Sequence, residues 1–216
     1  MATPLVHIWR QREVVTAETM NRYITDVHRF LYAPPACKVQ LRQRGTHAQA
    51  KPSDAVNQGA WLSFNTWKSF PLHMPGRGMR GAETYDNTGG EMAKLSPDGI
   101  GWHLIAPEDG LYAVSFGGIL ESNGQANNIH FRLGRNIRSE GDWGLGTGTV
   151  ASHCPGPVQH DQYGVSRYFG SIQTTIQLKK SDTIHVSGVA DKDFVLGRYD
   201  MPNRSALELR WVGRLP

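Results

Sequence analysis

Two periodicities of apolar residues divide the chain. Between Val14 and Pro35, apolar side chains recur every three or four residues, which is typical of an amphipathic helix. From about residue 37 the period changes to two, which is typical of half-buried antiparallel strands. We therefore expect a helical segment over residues 1–36, followed by a chain that is mainly β.

The N-terminal segment predicts one helix over about residues 16–32. Thr16 is a good N-cap, and Pro34 and Pro35 end the helical pattern. A single apolar stripe runs along this helix: Met20, Tyr23, Ile24, Val27 and Leu31. An isolated helix of this length is only marginally stable in water, so the stripe must pack on a partner. Two partners stay open, namely the protein's own domain, and another subunit or a host assembly.

Nine later stretches alternate between apolar and polar residues, with turn residues between them. They are residues 37–44, 60–70, 91–96, 100–106, 110–120, 127–136, 168–178, 182–190 and 205–213. The glycine-rich residues 135–167 predict long loops with one short strand near 147–152, and no second helical pattern follows residue 40. This pattern favours an antiparallel jelly roll or sandwich over residues 59–216, with 37–58 as a linker or first strand.

The stretch LIAPEDGLYAVSFGGIL (104–120) contains the most regular alternation, entered through an acidic turn. One face of the predicted strand is bulky: Tyr112, Val114, Phe116 and Leu120. The other face is made mostly of small residues: Ala113, Ser115, Gly117 and Ile119. We expect the bulky face to fill a core and the small face to lie against a closely packed neighbour, either a second sheet or another protomer.

The composition limits the classes of protein to which this chain can belong. The 216 residues, with 39% hydrophobic residues, suffice for one domain plus an extension. The net charge of +4 comes from scattered basic residues, so we expect no nucleic-acid partner. No secretion signal is visible at the N-terminus, and no apolar run reaches the ~18 residues of a membrane span, so we expect no membrane insertion. Cys37 and Cys154 share no motif and are expected to be free, buried thiols.

The sequence gives only weak evidence for a catalytic site or a metal site. His153, Cys154 and His160 have a spacing that fits zinc poorly. Two carboxylate pairs, Glu108–Asp109 and Glu140/Asp142, are candidates for glycan hydrolysis only because they are close in sequence. We expect no catalytic residues, no metal and no cofactor.

Binding is better supported than catalysis in residues 137–148 and 161–170. These predicted loops carry aromatic side chains, which stack on sugars, and arginines, which bind anionic groups: Arg138, Trp143, Tyr163 and Arg167. The alternative is that the aromatic residues plug the rim of the β domain or a subunit interface.

Residues 84–120 resemble the C1q and tumour-necrosis-factor-like trimeric jelly rolls. Those domains typically read Asn-x-Gly, a short strand, a strand with an aromatic residue, then Pro-x-x-Gly-x-Tyr and an alternating strand. The matching residues are Asn87, Gly89, Gly90, Trp102, Pro107, Gly110 and Tyr112. Residues 176–188 resemble a later strand pair of the family around Asp182, although Ser181 stands where the family usually has glycine, and residues 207–215 resemble its last strand.

This resemblance covers about residues 60–215 and implies a homotrimer around a three-fold axis. It also implies a set of motif and core residues: Trp102, Pro107, Gly110, Tyr112, Val114, Phe116 and Asp182. The fold class expected is therefore a C1q/TNF-like antiparallel jelly roll preceded by a short helical anchor.

The N-terminal segment resembles the opening of minor tail and other structural proteins of actinobacterial phages. The matching residues are Trp9, Glu13, Val15, Thr16, Ala17, Met20, Asn21, Leu31, Pro34 and Pro35. The resemblance implies a virion protein, anchored to other virion proteins through residues 1–36, whose β domain faces outward. We expect a tail-tip or tail-fibre protein that aids adsorption to the host surface, with a host-envelope glycan as the candidate ligand. The alternatives are a capsid decoration or head-fibre protein of the same build, and an envelope-glycan hydrolase with a β fold.

Overall fold

The structure is a computed structural model that describes residues 14–21, 24, 32–41, 65, 68–69, 72–73, 84–95, 102–146, 148–155, 159–160, 165–196 and 205–213. Within them lie two short helices, α1 (Ala17–Met20) and α2 (Glu140–Leu145). The strands are β1 (Ala36–Leu41), β2 (Lys68–Ser69), β3 (Leu72–His73), β4 (Tyr85–Asp86), β5 (Ala93–Leu95), β6 (Trp102–Ile105), β7 (Gly110–Asn123), β8 (Ile129–Arg135), β9 (Thr149–His153), β10 (Gln159–His160), β11 (Val165–Leu178), β12 (Thr183–Ala190), β13 (Phe194–Leu196) and β14 (Ala206–Gly213).

The strands form two antiparallel sheets. Sheet A has the order β10-β11-β7-β14-β1-β3, with β13 paired to β7 and β4 paired to β1. Sheet B has the order β5-β6-β12-β8-β9, with β2 paired to β12. Phe116 of sheet A and Phe131 of sheet B meet with ring centroids 5.8 Å apart inside one apolar cluster. The prediction of a mainly antiparallel β fold is confirmed, and the arrangement is compatible with a β-sandwich.

The eight strands longer than three residues pair in a nested order. β1 pairs with β14, β6 with β12, β7 with β11, and β8 with β9. In chain order, the first of these strands pairs with the last, the second with the seventh, the third with the sixth and the fourth with the fifth. Long-range pairs of this kind bring residues far apart in sequence into direct register.

β7 is the central strand of sheet A and has two unlike faces. Tyr112, Val114 and Phe116 are at most 2% exposed and point into the core between the sheets. Ala113 and Ser115 lie on the outer face and are partly exposed. β14 pairs with β7 as far as Gly117, and β13 takes over at Leu120. The small residues of the outer face therefore lie next to β14.

The acidic turn before β7 is held by its own side chains. The Tyr112 hydroxyl donates to the Glu108 carbonyl at 2.8 Å, and the Asp109 carboxylate accepts from the Lys180 amide at 2.7 Å. A Cβ atom on Gly110 would lie 2.8 Å from the Gly213 carbonyl and in the indole of Trp211. The Pro-x-x-Gly-x-Tyr pattern at residues 107–112 thus has a physical cause here, because glycine permits the close approach of β14.

The loop after β4 is fastened to β1 by Asn87 and to the start of β5 by Asp86. Asn87 accepts from the Ala36 amide and donates to the Pro34 carbonyl, each at 2.8 Å. The Asp86 carboxylate accepts from the amides of Met92 and Ala93 at 3.0 and 3.2 Å. Ala36 is the first residue of β1, one residue before the segment 37–58 that was expected to be a linker or first strand.

The N-terminal segment is described only in part. Thr16 caps α1 as predicted, since its hydroxyl accepts from the Thr19 amide at 3.1 Å. Two members of the predicted apolar stripe, Met20 and Ile24, are 41% and 37% exposed. The other three, Tyr23, Val27 and Leu31, lie outside the described residues.

The sequence-based reading of residues 135–167 was wrong in two respects. A second helix, α2, occupies Glu140–Leu145, and β11 begins at Val165, three residues before the predicted start. The spacing of apolar residues does not predict α2, because this helix has only six residues and contains glycine, so no apolar stripe can form. The predicted short strand is present as β9.

Candidate functional site

The outer face of sheet A carries a row of small residues along its central strand, β7. Its centre, which we call the small-residue face, consists of Ala113, Ser115 and Gly117 of β7, with Ser171, Gln173 and Thr175 of β11 directly opposite. The three β11 side chains are exposed. A Cβ atom on Gly117 would meet no atom within 4 Å. The space above Gly117 is therefore open, and none of these six residues is charged.

Charged residues of β14 lie directly beside the small-residue face, because Glu208 is in register with Ser115 and Arg210 with Ala113. The Tyr85 hydroxyl donates to Glu208 Oε1 at 2.7 Å, and an Arg210 guanidinium nitrogen lies 3.8 Å from the same oxygen. Burial and the hydrogen bond to Glu208 raise the pKa of Tyr85 to about 12. Further along β7, Arg167 Nε donates to Glu121 Oε1 at 2.9 Å. Glu208 and Glu121 therefore each lie beside an arginine of the same chain, and Lys38 of β1 is in register with Glu208.

Asp182 lies at the centre of a polar network and is only 8% exposed. Its carboxylate accepts from Asn136 Nδ2 at 2.7 Å and from the Lys179 amide at 2.6 Å, and it pairs with Arg135 at 2.7 Å. Burial alone raises the pKa of Asp182, but these hydrogen bonds and the arginine charge outweigh burial and hold the pKa below its usual range. The network joins the turn between β11 and β12 to the end of β8, which is a structural role.

Trp143 does not face a ligand. It is fully buried in α2, and a Cβ atom on Gly134 would lie 2.7 Å from its ring atoms. Arg132 donates to the Trp143 carbonyl at 2.6 Å and fixes the helix over β8. The prediction of an exposed loop aromatic was wrong because α2 folds back onto the outer face of sheet B.

The other predicted ligand-facing residues do not converge. Arg167 lies in β11 rather than in a loop, and its side chain, 15% exposed, is paired with Glu121, so it is not available as predicted. Arg138 is exposed at the start of the α2 region, and Tyr163 lies outside the described residues. Nearby Tyr168 is 1% exposed, and its hydroxyl accepts from the Ala126 amide. No cluster of aromatic and basic side chains therefore forms from this set in the described part of the chain.

Of the candidate carboxylates, Asp109 and Asp142 accept backbone hydrogen bonds. The Asp142 carboxylate accepts from the amides of Arg138 and Ser139 at 2.8 and 3.1 Å and caps α2. These two backbone hydrogen bonds hold the pKa of Asp142 below its usual range, whereas a catalytic acid needs a raised pKa. Across the described ranges, no three histidine, cysteine, aspartate or glutamate side chains lie close enough to hold a metal ion.

One pair of reactive side chains was missed by the sequence analysis. Cys154 Sγ lies 2.8 Å from His130 Nδ1, and Cys154 is exposed, so the expectation of two buried thiols was wrong for this one. Cys37, in contrast, is buried with 0% exposure. The alternation Ile129-His130-Phe131 indicates that His130 points away from the core, but only the register of β8 with β9 reveals its partner.

Comparison of the chain with known protein families and with curated protein sequences finds no match. No helix in the part of the chain that the structure describes is long and apolar enough to cross a membrane.

Proposed function

We propose that this chain is a bacteriophage virion protein, most specifically a minor tail protein of the tail tip or fibre. Its N-terminal segment attaches to other virion proteins, and its β domain forms a homotrimer that contacts the host surface. The proposal of a homotrimer rests on the small-residue face of sheet A, where the space above Gly117 is open. The sequence resemblance of residues 9–35 to phage structural proteins supports the placement on a virion.

The nested strand pairing supports a jelly roll of the C1q/TNF-like type. The eight longer strands divide into two groups of four, β11-β7-β14-β1 and β6-β12-β8-β9. A jelly roll has eight antiparallel strands in two facing sheets, connected as two Greek keys, and the nested pairing fits that connection. The motif residues add to this support, because Gly110 and Tyr112 shape the turn into β7, and Asn87 fastens its loop to β1.

The shape of the small-residue face supports self-association of the β domain. The small side chains of β7 leave room for another protomer to approach this strand closely, so three copies could pack this face around an axis. Ser171, Gln173 and Thr175 supply hydrogen-bonding groups at its border without adding charge. A central interface of this composition leaves the loops at the ends of the sheets free to meet a host-envelope glycan.

The exposed apolar residues of the N-terminal segment support its role as an anchor. Val14 is 78% exposed and Tyr32 is 86% exposed. No residue of α1 is buried. Apolar side chains that the described part of their own domain leaves uncovered are suited to an interface with another protein.

Antibody labelling of phage particles that carry this protein tests its location. The proposed function predicts label at the tail tip or tail fibres in electron micrographs. Label confined to heads would contradict the tail assignment and favour the capsid decoration or head-fibre alternative. Particles without any label, in a lysate where the free protein is detected, would contradict a virion role altogether.

A further inference from the structure

The strands β8 and β9 bring a thiol and an imidazole together on the outer face of sheet B. Phe131 is in register with His153, so His130 and Cys154 are opposite each other at the next position. Cys154 Sγ lies 2.8 Å from His130 Nδ1, and the cysteine is exposed. The pair is therefore both preorganised by the sheet and accessible to molecules in solution.

This geometry suits a nucleophilic thiol. The thiolate is the reactive form of cysteine, and an adjacent imidazole that accepts the thiol proton stabilises it as an ion pair. The second cysteine of the chain offers a natural contrast. Burial raises the pKa of the Cys37 thiol, and the nearby Asp86 carboxylate raises it further, so that thiol stays protonated and shielded.

We propose that Cys154 and His130 form a reactive thiol site that takes disulfide-bearing partners by thiol–disulfide exchange. The Cys154 sulfur attacks one sulfur of the partner disulfide, whose S–S bond breaks. A new S–S bond then joins Cys154 to one half of the partner, and the other half leaves as a thiolate. The proton removed from Cys154 passes to His130 and then to the leaving thiolate. No external oxidant is consumed, and the site does not depend on the virion assignment.

The test uses the full-length chain and the chromogenic disulfide dithiobis(nitrobenzoate). We expect one thiol per chain to react quickly in the folded protein and the second only after denaturation. The folded chain should react at least about tenfold faster near pH 6.5 than a His130→Gln variant, because the variant lacks the proton acceptor. His153→Gln is the matched control, since it removes the neighbouring imidazole on the opposite face of β9 and should leave the rate unchanged.

Two results would overturn the proposal. One is an equal rate for the wild-type chain and the His130→Gln variant between about pH 6 and pH 8. The other is a Cys154 thiol that reacts more slowly in the folded chain than cysteine does in the urea-unfolded chain at the same pH. The second comparison needs no substitution, so it decides the question even if the variant fails to fold.

Discussion

Two adjacent glycines of β7 lie on opposite faces of sheet A and have different surroundings. Gly118 points inward, and the ring of Phe116 fills the space that a Cβ atom would need. Gly117 points outward into open space. Neither has the positive φ angle that demands glycine, so packing alone distinguishes them. The same substitution should therefore have different effects at the two positions.

We expect Gly118→Ala to lower the free energy of unfolding by about 1–3 kcal/mol, because the added methyl group overpacks the core against Phe116. Gly117→Ala should change it by no more than about 0.5 kcal/mol, as for an ordinary surface substitution. Urea denaturation of both variants measures the difference. Equal destabilisation by both would show that Phe116 yields to the methyl group or that Gly117 is packed in the folded protein.

Ionisation of Asp182 makes the stability of the fold depend on pH. Its pKa in the folded protein lies below the ordinary value, so its ionised form stabilises the fold above about pH 4, and this stabilisation is lost as the pH falls through the folded pKa. We expect Asp182→Asn to cost about 1–3 kcal/mol at neutral pH, through weakened bonds from Asn136, Lys179 and Arg135.

The difference in urea midpoint between wild type and Asp182→Asn, measured from neutral pH to about pH 3, checks both parts of this prediction. It should shrink as the pH falls. A difference that stays constant with pH would mean that the carboxylate charge contributes nothing to stability.

At the scale of elements, the alternation of apolar residues predicts strands but not their partners. β7, β8, β12 and β14 follow from period-two patterns, because each has one face in the core. The patterns do not predict which strands pair with one another, since β7 pairs with β11 and β14 across long stretches of chain. For the same reason the Cys154–His130 pair was invisible in the sequence. The helix α2 has only a local signal, the Ser139-x-x-Asp142 capping box, and without it Trp143 looks like a loop residue.

The N-terminal element can be separated from the β domain by truncation. We expect deletion of residues 1–31 to change the melting temperature by less than about 2 °C, because the described residues of this segment are not buried. The cut spares Pro34 and Ala36, which Asn87 binds. Thermal unfolding followed by circular dichroism measures the shift. A drop of many degrees would instead show that the apolar stripe docks on its own domain, the alternative that the sequence leaves open.

At the scale of the whole molecule, the central question is what covers the small-residue face. The bulky face of β7 is buried in the core of the domain, whereas Ala113, Ser115 and Gly117 on the other face stay partly exposed and Ile119 beyond them is buried. The proposed trimer would bury this face, which gives a reason for the small residues Ala113, Ser115 and Gly117.

A bulky substitution on this face tests its role in assembly. We expect Gly117→Gln to leave the unfolding transition close to that of the wild type, because the space above Gly117 is open in the single chain. We expect it to convert trimers into monomers, because the side chain would project into the proposed subunit contact. Ser152→Gln, at an exposed position of β9 in sheet B, is the matched control and should remain trimeric. Size-exclusion chromatography of the three proteins distinguishes these outcomes. A Gly117→Gln variant that assembles like the wild type would place the interface elsewhere.

The native mass of the purified full-length chain, measured by light scattering after size exclusion, tests the account most directly. The account predicts a particle of three times the 24.0 kDa chain mass, retained after deletion of residues 1–31. A monomer at micromolar concentration, in the full-length chain and in the truncated one, would contradict a β domain that trimerises through sheet A.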